Sequence, residues 1–303
     1  MNYAPIAFFV FDRPEHTKIS LESLKNNDLA KYSDIIFFSD GPKKDERSIL
    51  RVKKVRKIIN EIKGFKSIHI IERKSNIGLY NNFVKGITEI CNKYGSVIIL
   101  EDDNQVSKHF LNYMNDGLTL YKDEKKVCSI NGWFFPGKNN LEETFLLKGG
   151  DTWGWATWKR AWSEFNPDTD YLLKEIKNKN LIKEFNLNDN FEYYKQLEKR
   201  NINLNNSHTI IWKASTFLKN MYSLYPAKSF VKNIGFDPSG THYKGYDKKH
   251  EHNHIENYSI LLKKIKVEES KKALRFVEKF YKKHKIIDFI NNIKKRLFNF
   301  RPF

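Results

Sequence analysis

The sequence predicts an α/β protein: a mostly parallel sheet with helices on both faces. Three observations carry this expectation. Short apolar runs recur along the first hundred residues, at Ile6–Phe11, Ile35–Phe38, Ile68–Ile71 and Val97–Leu100. They are rich in β-branched and aromatic residues, as buried strands are. Between them lie segments with helical spacing of apolar residues, and that alternation of strand and helix is how parallel sheets are connected. Each run also ends in polar or turn-forming residues.

The elements can be justified in order. After Ile6–Phe11, Asp12-Arg13-Pro14 breaks the strand and Thr17–Leu24 resumes as a helix. Ile35–Phe38 is closed by Ser39-Asp40-Gly41-Pro42, a strong turn signal. Ile49, Val52, Val55, Ile58, Ile59 and Ile62 place a helix over Arg47–Ile62. Asn76-Ile77-Gly78 leads from the third strand into a helix that runs through Cys91. His109–Tyr121 reads as a helix and Val127–Gly132 as a strand. Leu172–Arg200 and Thr209–Lys219 are helical, Ser223–Pro226 and Val231–Gly235 are short strands, and Phe236–His242 is a loop. The predicted organisation is a Rossmann-like half over 1–125, a second half of the same domain over 126–262, and a basic amphipathic tail over 263–303.

Composition narrows the function classes. The chain has 303 residues, a formal net charge of +18, and 15% aromatic residues. Anionic partners follow from the charge: nucleic acid, a phosphorylated small molecule or an anionic membrane face. Cys91 and Cys128 form neither a disulfide framework nor a zinc pattern. The first ten residues lack the flank and core of a signal peptide, and no apolar run is long enough to span a bilayer. The expected location is therefore cytoplasmic.

Function is concentrated at the strand ends. Val97–Leu100 runs directly into Glu101-Asp102-Asp103. Three carboxylates at the end of a core strand are costly without a positive partner, and hard divalent cations take carboxylate oxygens. A solvated acidic turn is the bland alternative. Parallel strands would gather Asp12-Arg13, Asp40, Asn76-Ile77-Gly78 and the triplet on one edge, where open α/β sheets bind ligands. Further on, Trp153-Gly154-Trp155 and the two tryptophans after it pack four indoles into ten residues. Core packing explains some of them, and a flat apolar wall for a sugar face is the other reading.

With these motifs in place, the chain resembles GT-A type glycosyltransferases, specifically bacterial family 2-like sugar transferases related to N-acetylglucosaminyltransferase I. The resemblance covers about residues 4–245. It rests on Pro5–Pro14, Ser39-Asp40-Gly41, Asn76-Ile77-Gly78, Glu101-Asp102-Asp103, Trp153–Trp162, Asn233-Ile234-Gly235-Phe236 and Gly240-Thr241-His242. It implies a UDP-sugar donor, UDP-GlcNAc by analogy, with Mn²⁺ or Mg²⁺ as cofactor. Inversion at the anomeric carbon is the expected course. The acceptor would be a glycan or glycolipid, such as lipopolysaccharide or capsule. By the same resemblance Asp103 ligates the metal and His242 lies beside it. Glu101 and Asp102 hold the ribose, the sugar or the metal's waters. Arg13 and Asp40 frame the uridine, Asn76 and Gly78 let the backbone approach the nucleotide, and Lys85 contacts phosphate. Relatives carry an aspartate base where this chain has Thr209, which leaves His208 and Asp151 as the candidate catalytic bases.

Two rivals differ in class. A nucleotidyltransferase would use a similar sheet, but it would carry a glycine-rich loop where this chain has Asp12-Arg13-Pro14-Glu15-His16. A basic nucleic-acid-binding protein would fit the net charge, but no nucleic-acid motif appears and the basic residues crowd the tail. In that tail Leu274, Val277, Phe280, Tyr281, His284, Ile287, Ile290, Ile293 and Leu297 are expected to form one helical stripe, with lysines and arginines opposite. That pattern predicts a helix lying on an anionic bilayer at the inner face of the plasma membrane.

Overall fold

The computed structural model describes residues 3–237, 255 and 257–298, with side chains described through 287 and at 290. In chain order the elements are β1 (Ile6–Val10), α1 (Pro14–Lys25), β2 (Asp34–Ser39), α2 (Glu46–Glu61), β3 (Ser67–Glu72), α3 (Leu79–Tyr94), β4 (Ser96–Glu101), β5 (Asn104–Val106), α4 (Phe110–Leu120), β6 (Val127–Asn131), β7 (Thr144–Lys148), β8 (Trp155–Trp158), α5 (Lys159–Trp162), α6 (Thr169–Asn178), α7 (Ile182–Phe185), α8 (Tyr193–Asn201), α9 (His208–Leu218), β9 (Tyr222–Pro226), β10 (Val231–Asn233) and α10 (Lys271–Phe298).

Among the described residues, eight strands form one sheet in the order β3-β2-β1-β4-β8-β6-β9-β7. From β3 to β4 every pairing is parallel. The register sets Val10 beside Ser39 and Phe9 beside Glu101, so the polar residues after β1, β2 and β4 emerge side by side. All five residues of β1 are buried, as are the apolar residues of β2 and β4. Burial on both faces is why these strands read as unbroken apolar runs. The mixed α/β class expected from the sequence is the one observed.

The second half departs from simple alternation. β8 lies antiparallel between β4 and β6, β9 runs parallel to β6, and β7 closes the edge antiparallel to β9. The tryptophan segment is therefore a sheet strand as well as a turn. Trp155, Trp158, Trp162 and Trp212 are buried, and Trp155 and Trp162 both lie against Trp212, at 5.7 and 5.4 Å between ring centroids. Core packing accounts for these indoles, while Trp153 stays partly exposed. β5 and β10 form a separate antiparallel pair beside the end of β4. The 172–200 region is three helices, because Asn180, Leu187, Asn188 and Asp189 take positive φ and break the run.

The first half of α10 belongs to the core. Ala273 and Val277 are buried, Phe276 stacks on Phe134 at 5.6 Å, and Phe280 and Tyr281 meet Phe135 at 5.0 and 5.3 Å.

Candidate active site

The site starts at the strand ends. Leaving β1, the chain reaches Asp12 and Arg13 before Pro14 opens α1. Arg13 is buried, and its Nη1 donates to Asp103 Oδ2 at 2.9 Å and lies 3.9 Å from Asp102 Oδ1. Burial works against the charge on Arg13, but Asp102 and Asp103 outweigh it and hold its pKa above the ordinary value.

The turn after β4 is organised by Asn104, a residue the sequence reading passed over. Its Oδ1 accepts from the Glu101 and Gly154 amides at 3.2 Å each, and its Nδ2 donates to Asp103 Oδ1 at 2.9 Å. One fully buried amide thereby fixes the acidic turn and ties it to the start of the tryptophan segment. An asparagine directly after an acidic triplet was the available signal.

Charge at this turn is unbalanced. Three carboxylates face one guanidinium. Burial first, then Asp103, pushes Asp102 up to about 7, with Arg13 partly offsetting. Burial, then Asp103 and Asp102, raises Glu101 well above its usual range. Each Asp103 oxygen has one donor and keeps a second lone pair. The donor atoms are hard carboxylate oxygens, the kind that Mg²⁺ and Mn²⁺ take. Among the described residues no cluster of three or more His, Cys, Asp or Glu side chains is disposed to hold a metal ion. His242 lies outside the described residues.

Asp40 is built into the adjoining loop. Its Oδ1 accepts from the Gly41 and Ile77 amides at 2.8 and 3.0 Å, and its Oδ2 from the Gly78 amide at 3.0 Å. Asn76 Nδ2 donates to Gly41 O at 2.9 Å, closing the same loop. Arg51 and Arg56 on α2, also passed over, brace these tips. Arg51 Nε donates to Asp12 O at 2.6 Å, and Arg56 Nη2 donates to Arg73 O at 2.7 Å. Lys85 is exposed on α3 and forms no ion pair with a described residue.

The return of the chain roofs the carboxylates. Ile234 N donates to Asp103 O at 2.9 Å, and His16 Nε2 lies 3.2 Å from Ile234 O and 3.3 Å from Asp237 Oδ2. A Cβ added at Gly235 would sit 2.2 Å from Asp103 Oδ2 and 2.9 Å from Arg13 Nη1, so a larger residue there would have to displace the Asp103–Arg13 pair.

The two candidate bases share a corner. Thr152 Oγ1 and Thr209 Oγ1 are 2.5 Å apart, which sets Asp151 beside the start of α9. Asp151 is partly exposed and lies three positions before Gly154, whose amide donates to Asn104 Oδ1. That stretch of chain reaches about 10 Å at most. His208 is 3% exposed and stacks on Phe83 at 4.3 Å, which stacks in turn on Phe9 of β1 at 3.9 Å. The structure thus brings Arg13, Glu101, Asp102 and Asp103 together. Asp40, Asn76 and Gly78 form a neighbouring loop, Asp151 lies across the Gly154 bridge, and His208 lies in the packing beneath.

No protein-family model matches the chain, and no curated protein does. Among solved structures it is similar to S. aureus TarS 1–349, with 12% identity, a TM-score of 0.40, and coverage of 75% of this chain and 59% of that one. Another S. aureus TarS structure gives 11% identity, a TM-score of 0.39, and coverage of 75% and 36%. UDP-glucose pyrophosphorylase complexed with UDP-glucose gives 12% identity, a TM-score of 0.34, and coverage of 74% and 90%. The matched region therefore spans less than two thirds of either TarS chain. Likenesses this distant carry no weight for the site or its substrate.

Proposed function

We propose that the protein is a metal-dependent glycosyltransferase of GT-A type, moving a sugar from a UDP-sugar to a hydroxyl of a glycan or glycolipid. The observation that supports it most is the gathering of Arg13, Asp102 and Asp103 at the ends of β1 and β4, with Gly235 pressed against them. The site is charged, partly buried and lies where parallel strands end, as nucleotide sites do.

In this reading Asp103 would hold Mn²⁺ or Mg²⁺, with His242, outside the described residues, as the further ligand that the resemblance implies. The bound metal would supply Lewis-acid stabilisation of the departing diphosphate. Asp102 and Glu101 orient the ribose and sugar hydroxyls. Asp40 faces the uracil: its Oδ2 accepts one main-chain N–H and retains a lone pair for the base N3–H. Asn76 and Gly78 shape that loop. Arg13 holds the triplet in position and offers positive charge toward phosphate.

Inversion requires a base on the acceptor side. Of the two candidates, Asp151 has solvent access and His208 does not. We assign the base to Asp151, delivered from the loop before β8, with Thr209 as its neighbour where relatives place a carboxylate on the helix. The aromatic edge beside it, Trp153 against Phe236 at 5.5 Å and against Trp133 at 4.6 Å, would offer a sugar ring its flat apolar face.

The test is a donor screen with Mn²⁺ and a glycan acceptor extract, reading released UDP and pyrophosphate separately. Release of UDP from a UDP-sugar is the expected result. Release of pyrophosphate from a nucleoside triphosphate and a sugar phosphate would move the assignment to a nucleotidyltransferase. UDP affinity indifferent to EDTA would remove the metal.

A further inference from the structure

α10 carries two apolar faces where the sequence pattern suggested one. The first is spent on the domain: Ala273 and Val277 are buried, and Phe276, Phe280 and Tyr281 pack on Phe134 and Phe135. The second points away. Val277 and Ile286 are nine residues apart, about two and a half helical turns, which puts them on opposite sides. Ile286, Ile287 and Ile290 are 53%, 37% and 44% exposed. The sequence continues the same spacing at Ile293 and Leu297.

The outward face is also the cationic one. Lys279 precedes Ile286 by about two turns and Arg275 by about three, while Lys282 and Lys283 stand one turn before Ile286 and Ile287. All four cations are exposed, and none forms an ion pair with a described residue. The only carboxylate between 271 and 287 is Glu278, which accepts from Asn188 Nδ2 at 2.5 Å. Along the outward side a basic stretch thus leads into an apolar one.

We propose that this outward face of α10 docks the protein on an anionic lipid bilayer, with Arg275, Lys279, Lys282 and Lys283 on the headgroups and Ile286, Ile287 and Ile290 in the acyl boundary. Charge complementarity selects this occupant. A second copy of the helix would bring like charges together, and nucleic acid would leave the isoleucines in water. Among the described residues no helix is long and apolar enough to cross a membrane, so contact is from one side. The docking does not depend on the transferase reading. It would bring the protein to the surface where that reading's glycolipid acceptors lie.

The experiment is flotation of the full chain with vesicles of pure phosphatidylglycerol and of pure phosphatidylcholine. Point substitutions are preferred to deletion, because removing the tail from residue 268 would also strip Phe276 and Phe280 from the core. Wild type should float with phosphatidylglycerol and stay behind with phosphatidylcholine. Lys279→Glu with Lys282→Glu and Lys283→Glu should lower partitioning on the order of a hundredfold or more. Ile286→Ser with Ile290→Ser should lower it at least about tenfold. The same charge change on α2, at Lys53, Lys54 and Lys57, should leave binding within about twofold, those residues lying off the docking face. Equal flotation with both lipids, no flotation with either, an equal loss from the α2 variant, or no loss from the isoleucine variant would each overturn the proposal. So would a dimer in sedimentation that the lysine variant dissociates, with no vesicle binding.

Discussion

From β3 to β4 each strand runs parallel to its neighbour, and the chain leaves each tip with a polar residue: Asp12-Arg13, Asp40, Arg73, Asp102-Asp103. From β8 to β7 the directions are mixed, and the interior is aromatic: Trp155, Trp212, Phe134, Phe145, Tyr225. The first half collects charge at one edge; the second supplies a rigid wall beside it. They meet along the antiparallel β4–β8 ladder, Ser96–Ile99 against Trp155–Trp158, and through the bond from Gly154 N to Asn104 Oδ1 at 3.2 Å. Because the charged tips and the aromatic interior come from different strands, the proposed donor binding and the proposed acceptor catalysis should be separable by substitution.

The largest effect is expected in the charged half. Asp103→Ala removes the carboxylate that Arg13 and Asn104 hold in place, and with it the proposed metal ligand. UDP affinity in Mn²⁺, by calorimetry, should fall on the order of 10²–10³-fold and cease to respond to EDTA. Unfolding midpoints should change little, because the substitution also relieves an excess of buried negative charge. A variant that unfolds readily yet binds UDP normally would break the comparison.

Across the Gly154 bridge, Asp151→Asn should lower kcat about a hundredfold while UDP affinity stays within about twofold. Loss of UDP binding in this variant would mean that the halves share one site more closely than the sheet suggests. His208→Gln is the companion: a buried ring stacked on Phe83 should reveal itself mainly in stability, not in kcat.

Two glycines sharpen the contrast at smaller size. At Gly150 a Cβ would lie 2.0 Å from Trp212 Nε1, within the aromatic half. Gly150→Ala should cost about 1–3 kcal/mol in urea unfolding and leave UDP affinity alone. Gly235→Ala forces a methyl onto Asp103 and Arg13, and should weaken UDP affinity several-fold or more at modest cost to stability.

How much of this was legible depended on the half. In β1, β2 and β4 burial on both faces leaves an unbroken apolar run, and the parallel connection places a helix between runs, so strands and edge were readable. β5, β7 and β8 were not. β7 (Thr144–Lys148) is a five-residue strand whose partner β9 lies some eighty residues away, and β8 hides within a motif whose indoles suggested core packing or a sugar-facing wall and not a strand. The acidic triplet could be read, and Asn104 directly after it carried a signal; His16, Arg51 and Arg56 could not be read, because their roles include contacts to main chain remote in sequence. The tail's composition was plain, but its division into a packed face and an outward face needed the domain against which the first half lies.

The thiols give the smallest effect, one residue in each half. Cys91 on α3 packs behind the parallel strands, and burial pushes it up to about 12. Cys128 in β6 is also raised by burial, although Ser223 and Ser129 hydroxyls work the other way. A thiol reagent needs thiolate, so at pH 8 both should react only as fast as the chain opens. The linkage has a definite sign. Below about pH 8.5 each thiol is neutral in both states and contributes nothing. Above it the unfolded chain releases the proton first, so stability falls as pH rises, and for Cys91 the fall continues toward its folded value. The slope reaches about 1.4 kcal/mol per pH unit for one such group. Cys91→Ala should flatten the alkaline limb by that amount, at the expense of a small cavity. If the two thiols label at one common rate, the halves open together; if Cys128 lags Cys91, the aromatic half is the more persistent unit.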